Sequence, residues 1–177
     1  MTKVKLKKYM NFTAFDFETA NYKRYSACSI GLVKIANNRI IKKQSVLIRP
    51  PEKWFKFTYI HGITWDDVEN EPDFSGVWPK IKPFFDNIDF AVAHNINFDA
   101  GVLNACCGYY QIPVPEIQFK CSLQLSRKAW NLDSYSLNNI CSHFSIPLNH
   151  HNALSDAEAC AELTKRLIAP ENNNITT

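Results

Sequence analysis

The sequence lacks long apolar runs. No uninterrupted apolar segment in its 177 residues approaches the length that spans a bilayer, and the basic N-terminus has no apolar core like that of a secretory signal. We therefore expect no membrane association and a cytoplasmic location. Repeats and low-complexity segments are also lacking, and the length suits one domain. With 46% hydrophobic residues, that domain can bury a sizeable core.

The cysteines lack the spacing of disulfide or metal chemistry. All six are scattered through apolar segments without a C-x-x-C pair, and no Cys/His pairs show the spacing of a zinc site. This pattern predicts reduced, mostly buried thiols. The adjacent Cys106 and Cys107 are interpreted as packing residues of a helix rather than as a redox pair.

The body of the chain also lacks a charge excess of one sign. The formal net charge is +3, but four lysines lie within the first eight residues, so the remainder is close to neutral. We predict a basic tail over residues 1–10. Two interpretations of this tail stay open: it attracts nucleic acid electrostatically, or it is simply disordered. A polar tail is predicted over residues 170–177. Residues 11–169 are then the single folded domain.

What the sequence does contain is an apolar strand, Thr13–Thr19, with two carboxylates set into it. Strand side chains alternate between faces, so Asp16 and Glu18 point the same way, about 6.6 Å apart at the backbone. Acids are disfavoured in strands and like charges repel, so this pair indicates a site. Hard oxygen ligands suit Mg²⁺ or Mn²⁺. Two solvated acids at an exposed strand end are the alternative.

The remaining pattern predicts a mixed α/β domain. Strands over residues 26–36 and 40–48, joined by an Asn-Asn turn, follow the first strand. An aromatic-rich connection over residues 51–63 comes next. Two interpretations of its rings stay open: they pack on the core, or they stack on bases. The further predicted elements are a helix from residue 64, a shorter proline-disturbed helical segment over 75–85, a strand over 88–94, a helix from about residue 97, a short strand within 117–130 with a helix left open there, a helix over 137–144 and a last helix over 152–168.

Two more acids fall where these elements would make a site. Asp99 follows the predicted strand 88–94 in the first turn of a helix, where ligand sites of α/β folds concentrate. Asp156 falls on the inward apolar stripe of the last helix, and a buried acid requires a partner. His151 is expected in the loop that leads into that helix. Four carboxylates and a histidine of near-neutral pKa are the inventory of two-metal phosphodiester hydrolysis.

Three segments resemble the motifs of a known family. They are Asp16-Phe17-Glu18-Thr19, then His94-Asn95-Ile96-Asn97-Phe98-Asp99, then His151 with four residues between it and Asp156. Together they resemble the DEDDh group of DnaQ-like 3′-to-5′ exonucleases, which includes the proofreading epsilon subunit of bacterial DNA polymerase III, ribonuclease T and oligoribonuclease. Weaker resemblances lie at residues 29–33 and 61–64, and the likeness covers residues 11–168.

The resemblance implies an RNase H-like fold, an α/β architecture in which a mixed central β-sheet is flanked by α-helices. It also implies the roles of the site residues. Asp16, Glu18, Asp99 and Asp156 would hold two divalent cations, Mg²⁺ or Mn²⁺, and His151 would be the general base on the attacking water. A loop histidine has the pKa and the freedom that this role requires.

The resemblance further implies a pocket for the terminal nucleotide at the backbone of the first motif. Phe17, Thr19 and Ala20 are the matching positions here. Ala20 departs from the Thr or Gly of many members, which puts the fine shape of this pocket in doubt. Two roles stay open for His61: it contacts the substrate, or it supports its own loop.

Three other histidines are not assigned to the chemistry. His94, at a strand end, is interpreted as structural, and His143 as a surface residue. His150 neighbours the proposed base and competes with it. Only His151 has the family spacing to Asp156, so the general base is predicted to be His151.

The implied activity is release of nucleoside 5′-monophosphates from the 3′ ends of single-stranded DNA. RNA is the alternative substrate, and a non-catalytic nucleic-acid-binding module is the alternative from another class. A DNA polymerase is the protein partner that the resemblance suggests. The long C-terminal extension of the epsilon subunit is lacking, so we expect a freestanding nuclease or one docked through its own surface.

Overall fold

The structure, a computed structural model, describes residues 10–168, and the predicted tails lie outside them except for Met10. None of the helices in this part of the chain combines the length and apolar character that a membrane span requires. The strands are β1 (Phe12–Thr19), β2 (Ala27–Ala36), β3 (Arg39–Leu47), β4 (Phe90–Ala93) and β5 (Phe119–Cys121). The helices are α1 (Thr58–His61), α2 (Trp65–Val68), α3 (Phe74–Phe85), α4 (Ile96–Tyr109), α5 (Ser122–Ala129), α6 (Leu137–His143) and α7 (Ala153–Ile168).

All five strands form one mixed sheet in the order β3-β2-β1-β4-β5. β1, β2 and β3 form an antiparallel meander, whereas β4 and β5 run parallel to β1. The predicted hairpin turn lies between β2 and β3, where Asn37 and Asn38 both have positive φ, as a tight hairpin requires. This sheet, with helices on both faces, confirms the predicted RNase H-like α/β class.

The two faces of β1 pack against different helices. Phe12 and Ala14 lie on the face that α7 covers, together with apolar residues of β2 and β4. Phe15 and Phe17 lie on the other face, in a larger core with α3 and α4. Helices from distant parts of the chain are therefore held against one central strand. All six cysteines are buried and unpaired, as predicted.

The prediction that the second of the two helices after residue 64 is the shorter one is wrong. The helix that begins there, α2, has only four residues, although Thr64 and Asp67 form a capping box at its start. The segment predicted to be shorter is the twelve-residue α3, which begins one residue before the prediction. Pro79 and Pro83 lie inside this helix and are exposed, and each lacks the amide hydrogen that would bond the carbonyl four residues earlier. Burial of the helix's apolar face outweighs their cost, through Phe74, Val77, Ile81, Phe84 and Phe85.

The remaining boundaries differ by a few residues. The strand predicted over residues 88–94 is reduced to β4, the helix left open after β5 is present as α5, and the 51–63 connection contains the short α1. α7 begins at Ala153, so His151 lies in the turn before it, as predicted. These differences leave the predicted order of the motifs along the fold unchanged.

Candidate active site

The acids of the first strand lie beside the first turn of the last helix. Phe12 and Ala14 pack on α7, and Asp16 and Glu18 continue the same strand face beyond that apolar contact. Asp156, in the first turn of α7, is 4% exposed. Ligand oxygens of Asp16, Glu18 and Asp156 all lie within 4.8 Å of one another. Three predicted acids therefore form one cluster, which we call the carboxylate cluster.

A glycine allows α7 to approach the sheet this closely. Gly31 in β2 pairs with Asp16 in β1, and a Cβ on it would lie 2.0 Å from the carbonyl oxygen of Ala153. No side chain fits at that distance, so the backbone at the start of α7 rests directly on β2. A glycine inside a strand is typical of such a close approach. The contact fixes the position of Asp156 above β1.

Asp99 approaches β1 from the neighbouring parallel strand. Because β4 runs parallel to β1, the carboxyl ends of both strands meet at one edge of the sheet. The chain turns at Asn95, in the left-handed conformation with φ 67°, and enters α4. Asp99 is 1% exposed, and its Oδ1 accepts a hydrogen bond of 2.9 Å from the amide of Phe17. This carboxylate therefore contacts the backbone between the two acids of β1.

Arg24, which sequence reasoning missed, supports the start of α4. Its Nη1 donates to the carbonyl oxygens of Asn97, at 2.7 Å, and Phe98, at 3.2 Å. Gly101 makes room for the guanidinium, because a Cβ there would lie 1.8 Å from Nη1. The positive charge of Arg24 opposes the rise in the pKa of Asp99. No motif contains Arg24, and only its position in the fold reveals this role.

Burial and mutual repulsion disfavour the charged forms of the acids. Burial is the main cause that raises the pKa of Asp16 well above its ordinary value, and the charges of Asp99, Asp156 and Glu18 add to it. Burial and the neighbouring acids raise the pKa of Glu18 to about 8. The pKa of Asp99 also rises to about 8, mainly through burial. A bound cation would remove this repulsion and favour the ionised carboxylates.

The donor set of the cluster fits a hard divalent cation. Asp16, Glu18 and Asp156 offer only carboxylate oxygens, the ligands that Mg²⁺ and Mn²⁺ prefer. Asp99 stands outside the tight group of three but is close enough to raise the pKa values of Asp16 and Glu18. The four acids predicted from the sequence are therefore brought to one place.

Both histidines of the 150–151 pair lie at the cluster. His150 Nδ1 is 3.1 Å from Asp156 Oδ2, whereas His151 contacts the same oxygen through its backbone amide, also at 3.1 Å. The two imidazole rings stack with centroids 3.9 Å apart. Burial and the neighbouring His150 lower the pKa of His151, and Asp156 opposes them. Ligand atoms of this trio also lie within 4.8 Å of one another, a grouping that the sequence did not predict.

The residues predicted to receive the terminal nucleotide are already bonded within the protein. The Phe17 amide donates to Asp99, and the side chain of Phe17 is 2% exposed. The Thr19 carbonyl lies 3.2 Å from His61 Nε2, and His61 Nδ1 accepts from the amide of residue 63 at 3.0 Å. Ala20 is fully buried, and both its backbone groups are hydrogen-bonded. These bonds favour the alternative for His61, support of its own loop.

A cleft of about 630 Å³ adjoins the cluster on the side of α5 and α6. His94 lines it and is held by Ser122 Oγ and the Tyr135 carbonyl, each at 2.9 Å, in agreement with its structural interpretation. Burial lowers the pKa of His94, which favours the neutral ring. Arg127 of α5 also lines the cleft, near the ring of Tyr135. The acids Asp16 and Asp156 form its inner wall.

Together, the fold and the four acids match the exonuclease class that the sequence motifs resemble. An RNase H-like sheet carries partly buried acids on its first strand, a buried acid at the start of the helix after a parallel strand and another on its last helix. The comparisons with known proteins agree with this class. The model of the exonuclease family RNase_T matches residues 13–164. The chain belongs to this exonuclease family, and its resemblance to the DnaQ-like DEDDh group is confirmed.

Among relatives, a PolC-type DNA polymerase III from Thermotoga petrophila is 30% identical over 161 residues, which is 89% of this chain and 12% of the polymerase. The epsilon subunit of DNA polymerase III from Buchnera aphidicola is 28% identical over 186 residues, covering 89% of this chain and 71% of that subunit. The chain thus spans about an eighth of the PolC-type relative.

Solved structures share the fold at lower identity. Exonuclease X in complex with 5′-overhanging duplex DNA has a TM-score of 0.71 at 23% identity, covering 88% of this chain and 90% of that one. The nuclease domain of 3′hExo, a DEDDh family member bound to rAMP, has a TM-score of 0.74 at 16% identity, covering 91% and 92%.

Proposed function

We propose that this protein is a metal-dependent 3′-to-5′ exonuclease that releases nucleoside 5′-monophosphates from single-stranded DNA ends. The observation that carries the proposal is the carboxylate cluster. Carboxylate oxygens of three acids from β1 and α7 lie within 4.8 Å of one another. Asp99 contacts the backbone of β1 between two of these acids. Acids this close, partly or fully buried, are costly for the fold, and a divalent cation gives them a function.

In this proposal, Asp16, Glu18, Asp99 and Asp156 hold two cations, Mg²⁺ or Mn²⁺. Bound there, the cations would supply Lewis acidity toward the scissile phosphate and the attacking water. His151 accepts the proton of that water, because its turn leaves the imidazole exposed and keeps a ring nitrogen within 4.8 Å of an Asp156 oxygen. Burial lowers the pKa of His151, which favours the neutral, proton-accepting form.

The contacts of His150 suggest a supporting part. Its ring stacks on that of His151, and its Nδ1 reaches both oxygens of Asp156, at 3.1 and 3.3 Å. We infer that His150 holds the loop in place, while His151 performs the proton transfer.

The preference for DNA over RNA rests on the relatives. The PolC-type and epsilon relatives are DNA polymerase III proteins, and the exonuclease X structure contains DNA. The 3′hExo domain, in contrast, is bound to rAMP, so RNA is the second candidate substrate. Association with a DNA polymerase is the partner proposal that follows from the same relatives.

The first test is digestion of a 5′-labelled single-stranded DNA oligonucleotide with Mg²⁺ or Mn²⁺. We expect a ladder that shortens from the 3′ end and disappears with EDTA. A matched RNA oligonucleotide gives the rate ratio between the two sugars, because a site that contacts the 2′-hydroxyl separates them. Absence of metal-dependent cleavage on both strands would overturn the proposal and leave a nucleic-acid-binding module.

A further inference from the structure

A second group of metal-ligand atoms overlaps the carboxylate cluster. It consists of His150, His151 and Asp156, and we call it the histidine trio. Each residue offers one ligand atom, an imidazole nitrogen or a carboxylate oxygen, and these three atoms lie within 4.8 Å of one another. Asp156 belongs to both groups, so an ion bound by the trio would lie directly beside the carboxylate cluster.

The two groups differ in their donor atoms. The carboxylate cluster supplies oxygen alone, which suits Mg²⁺ and Mn²⁺. The trio supplies two imidazoles and one carboxylate, the combination found, with one open position, in catalytic zinc sites. Imidazole suits Zn²⁺, and the affinity of such donors is lowest for Mn²⁺ among the common divalent transition metals. The trio therefore favours a cation that the carboxylate cluster does not select.

The backbone brings the two imidazoles to the same side of the chain. His151 has a left-handed conformation, φ 66°, which residues other than glycine rarely adopt. The two rings stack with centroids 3.9 Å apart and an angle of 21° between their planes. Consecutive side chains of an extended chain point to opposite sides, so this pairing depends on the turn. The spacing of zinc motifs did not indicate such a site, because two of its ligands are adjacent in sequence.

Asp156 is oriented toward both histidines. Its Oδ1 and Oδ2 lie 3.3 and 3.1 Å from His150 Nδ1, and Oδ2 accepts a hydrogen bond of 3.1 Å from the His151 amide. Carboxylates that bind metals are themselves hydrogen-bonded in this way. The amide of Asn149 donates to Ser155 Oγ at 2.7 Å, which holds the turn on α7 without using either imidazole.

The exposed rings can close around an ion. Nitrogen binds Zn²⁺ at about 2.0–2.1 Å, so the three ligand atoms must come closer together than their present 4.8 Å. The side chain of His150 is 39% exposed, and His151 is also exposed. Exposed side chains change rotamer within nanoseconds, whereas Asp156 is buried and supplies a fixed ligand.

We propose that the histidine trio is an inhibitory site for Zn²⁺. The inhibition, but not the binding, rests on the proposed exonuclease function. A neutral imidazole has one acceptor nitrogen. If that nitrogen of His151 binds Zn²⁺, it cannot also accept the proton of the attacking water. The same ion takes an oxygen of Asp156 that the carboxylate cluster would use for Mg²⁺ or Mn²⁺.

The first test is calorimetric titration of Zn²⁺ into the protein with Mg²⁺ in excess, so that the carboxylate cluster holds its preferred ions. We expect saturable binding of one Zn²⁺ per chain. His150→Phe keeps a ring beside His151 but removes the ligand nitrogen. It should weaken zinc binding by at least roughly tenfold to a hundredfold, the usual cost of losing even a group that supports a metal ligand. No saturable binding to the wild type, or equal dissociation constants for wild type and His150→Phe, would overturn the proposal.

The same substitution at another histidine provides a matched control. His143 is exposed in α6 and belongs to neither group of ligand atoms. His143→Phe should therefore bind Zn²⁺ with the affinity of the wild type. If it weakens binding as much as His150→Phe does, zinc is held by surface histidines in general, and the assignment to the trio is overturned.

Zinc inhibition gives a second measurement. Digestion of labelled single-stranded DNA with Mg²⁺ should slow as Zn²⁺ is added. It should recover when a nitrogen-donor chelator that prefers Zn²⁺ to Mg²⁺ removes the zinc. Each variant is compared with its own zinc-free rate, because His150 also supports the loop. The zinc concentration that halves the rate should rise in His150→Phe and stay unchanged in His143→Phe. Equal zinc sensitivity of the wild type and His150→Phe would contradict the proposal.

The zinc site and the proposed exonuclease function fail in different ways. Zinc binding that depends on His150, in a protein that cuts neither DNA nor RNA, would overturn the exonuclease and support the site as a binding site. Normal digestion with Mg²⁺ at a rate that Zn²⁺ does not alter would overturn the inhibitory site alone.

Discussion

Gly31 and Ala153 bring β2 and the start of α7 into backbone contact, at a distance that leaves no room for a methyl group. Residues separated by most of the described chain thereby set where Asp156 lies over β1. The glycine is needed here for space rather than for conformational freedom, since its φ is not in the left-handed region.

Gly31→Ala should therefore damage both stability and activity. The added methyl group forces α7 away from the sheet, and such overpacking costs about 1–3 kcal/mol. We expect Tm to fall by roughly 2–4 °C for each kcal/mol, and digestion of single-stranded DNA to slow as Asp156 moves. Gly108→Ala is the control, because nothing lies within 4 Å of a Cβ at that helical position. An unchanged Tm for Gly31→Ala would mean that the contact is not tight in solution.

Metal binding should stabilise the fold through the carboxylate cluster. Because a ligand that binds only the folded state adds RT ln(1 + [L]/Kd), Mg²⁺ at about a hundred times its Kd adds about 2.7 kcal/mol. Asp156→Asn should lose most of this gain, and without metal it should be no less stable than the wild type, because one repelling charge is gone.

Thermal melts with Mg²⁺, with Mn²⁺ and with EDTA measure this effect. Glu158→Gln, two residues along α7, is the matched control, because Glu158 pairs with Lys43 at 2.6 Å outside the cluster. An equal metal-dependent rise in Tm for Asp156→Asn and the wild type would contradict the assignment of Asp156 as a ligand.

Substitutions of the two stacked histidines should differ in their effect on the reaction rate. His151→Ala should lower kcat by about 10²–10⁴-fold, the usual contribution of a general base. His150→Ala should have a smaller effect, because it removes a support of the loop and not the proton acceptor. Rates under single-turnover conditions compare the two directly. If His150→Ala is the more damaging change, the general base is His150, whose ring contacts Asp156.

The thiols should be almost unreactive in the folded protein. Burial raises the pKa of Cys106 and Cys160 to about 12, and of Cys107 and Cys141 to about 11. A raised thiol pKa means that the reactive thiolate is rare at pH 8. A chromogenic disulfide reagent should report fewer than one rapidly reacting thiol in the native protein and six in guanidinium. Two or more fast thiols before unfolding would contradict this burial.

The sequence predicted a mixed α/β domain and four candidate acids, and its resemblance to the exonuclease family implied the RNase H-like sheet and the meeting of those acids. Strand alternation placed Asp16 and Glu18 on one face, and helical periodicity turned Asp156 inward, because both rules depend on local backbone geometry. Asp99 followed from its place after a strand. The motif spacing supplied the order of these elements, and the structure brings them to one edge of the sheet.

The failures of prediction concern interactions between distant residues. Pro79 and Pro83 suggested a disturbed helix, but the apolar face of α3 packs well enough to keep twelve residues helical. The hydrogen bond from the Arg24 guanidinium to the start of α4 is a tertiary contact that no local sequence pattern encodes. Gly31 could have been noticed, because an isolated glycine in a strand indicates a close backbone approach.

The division of the carboxylate cluster between β1 and α7 has a consequence for synthesis of the protein. A ribosome synthesises Asp16 and Glu18 well over a hundred residues before Asp156. A nascent or truncated chain without residues 153–168 lacks one wall of the cluster and the helix that covers β1. The four acids therefore cannot come together before α7 has been synthesised and has packed on β1, and any activity that needs all four has to wait for that step.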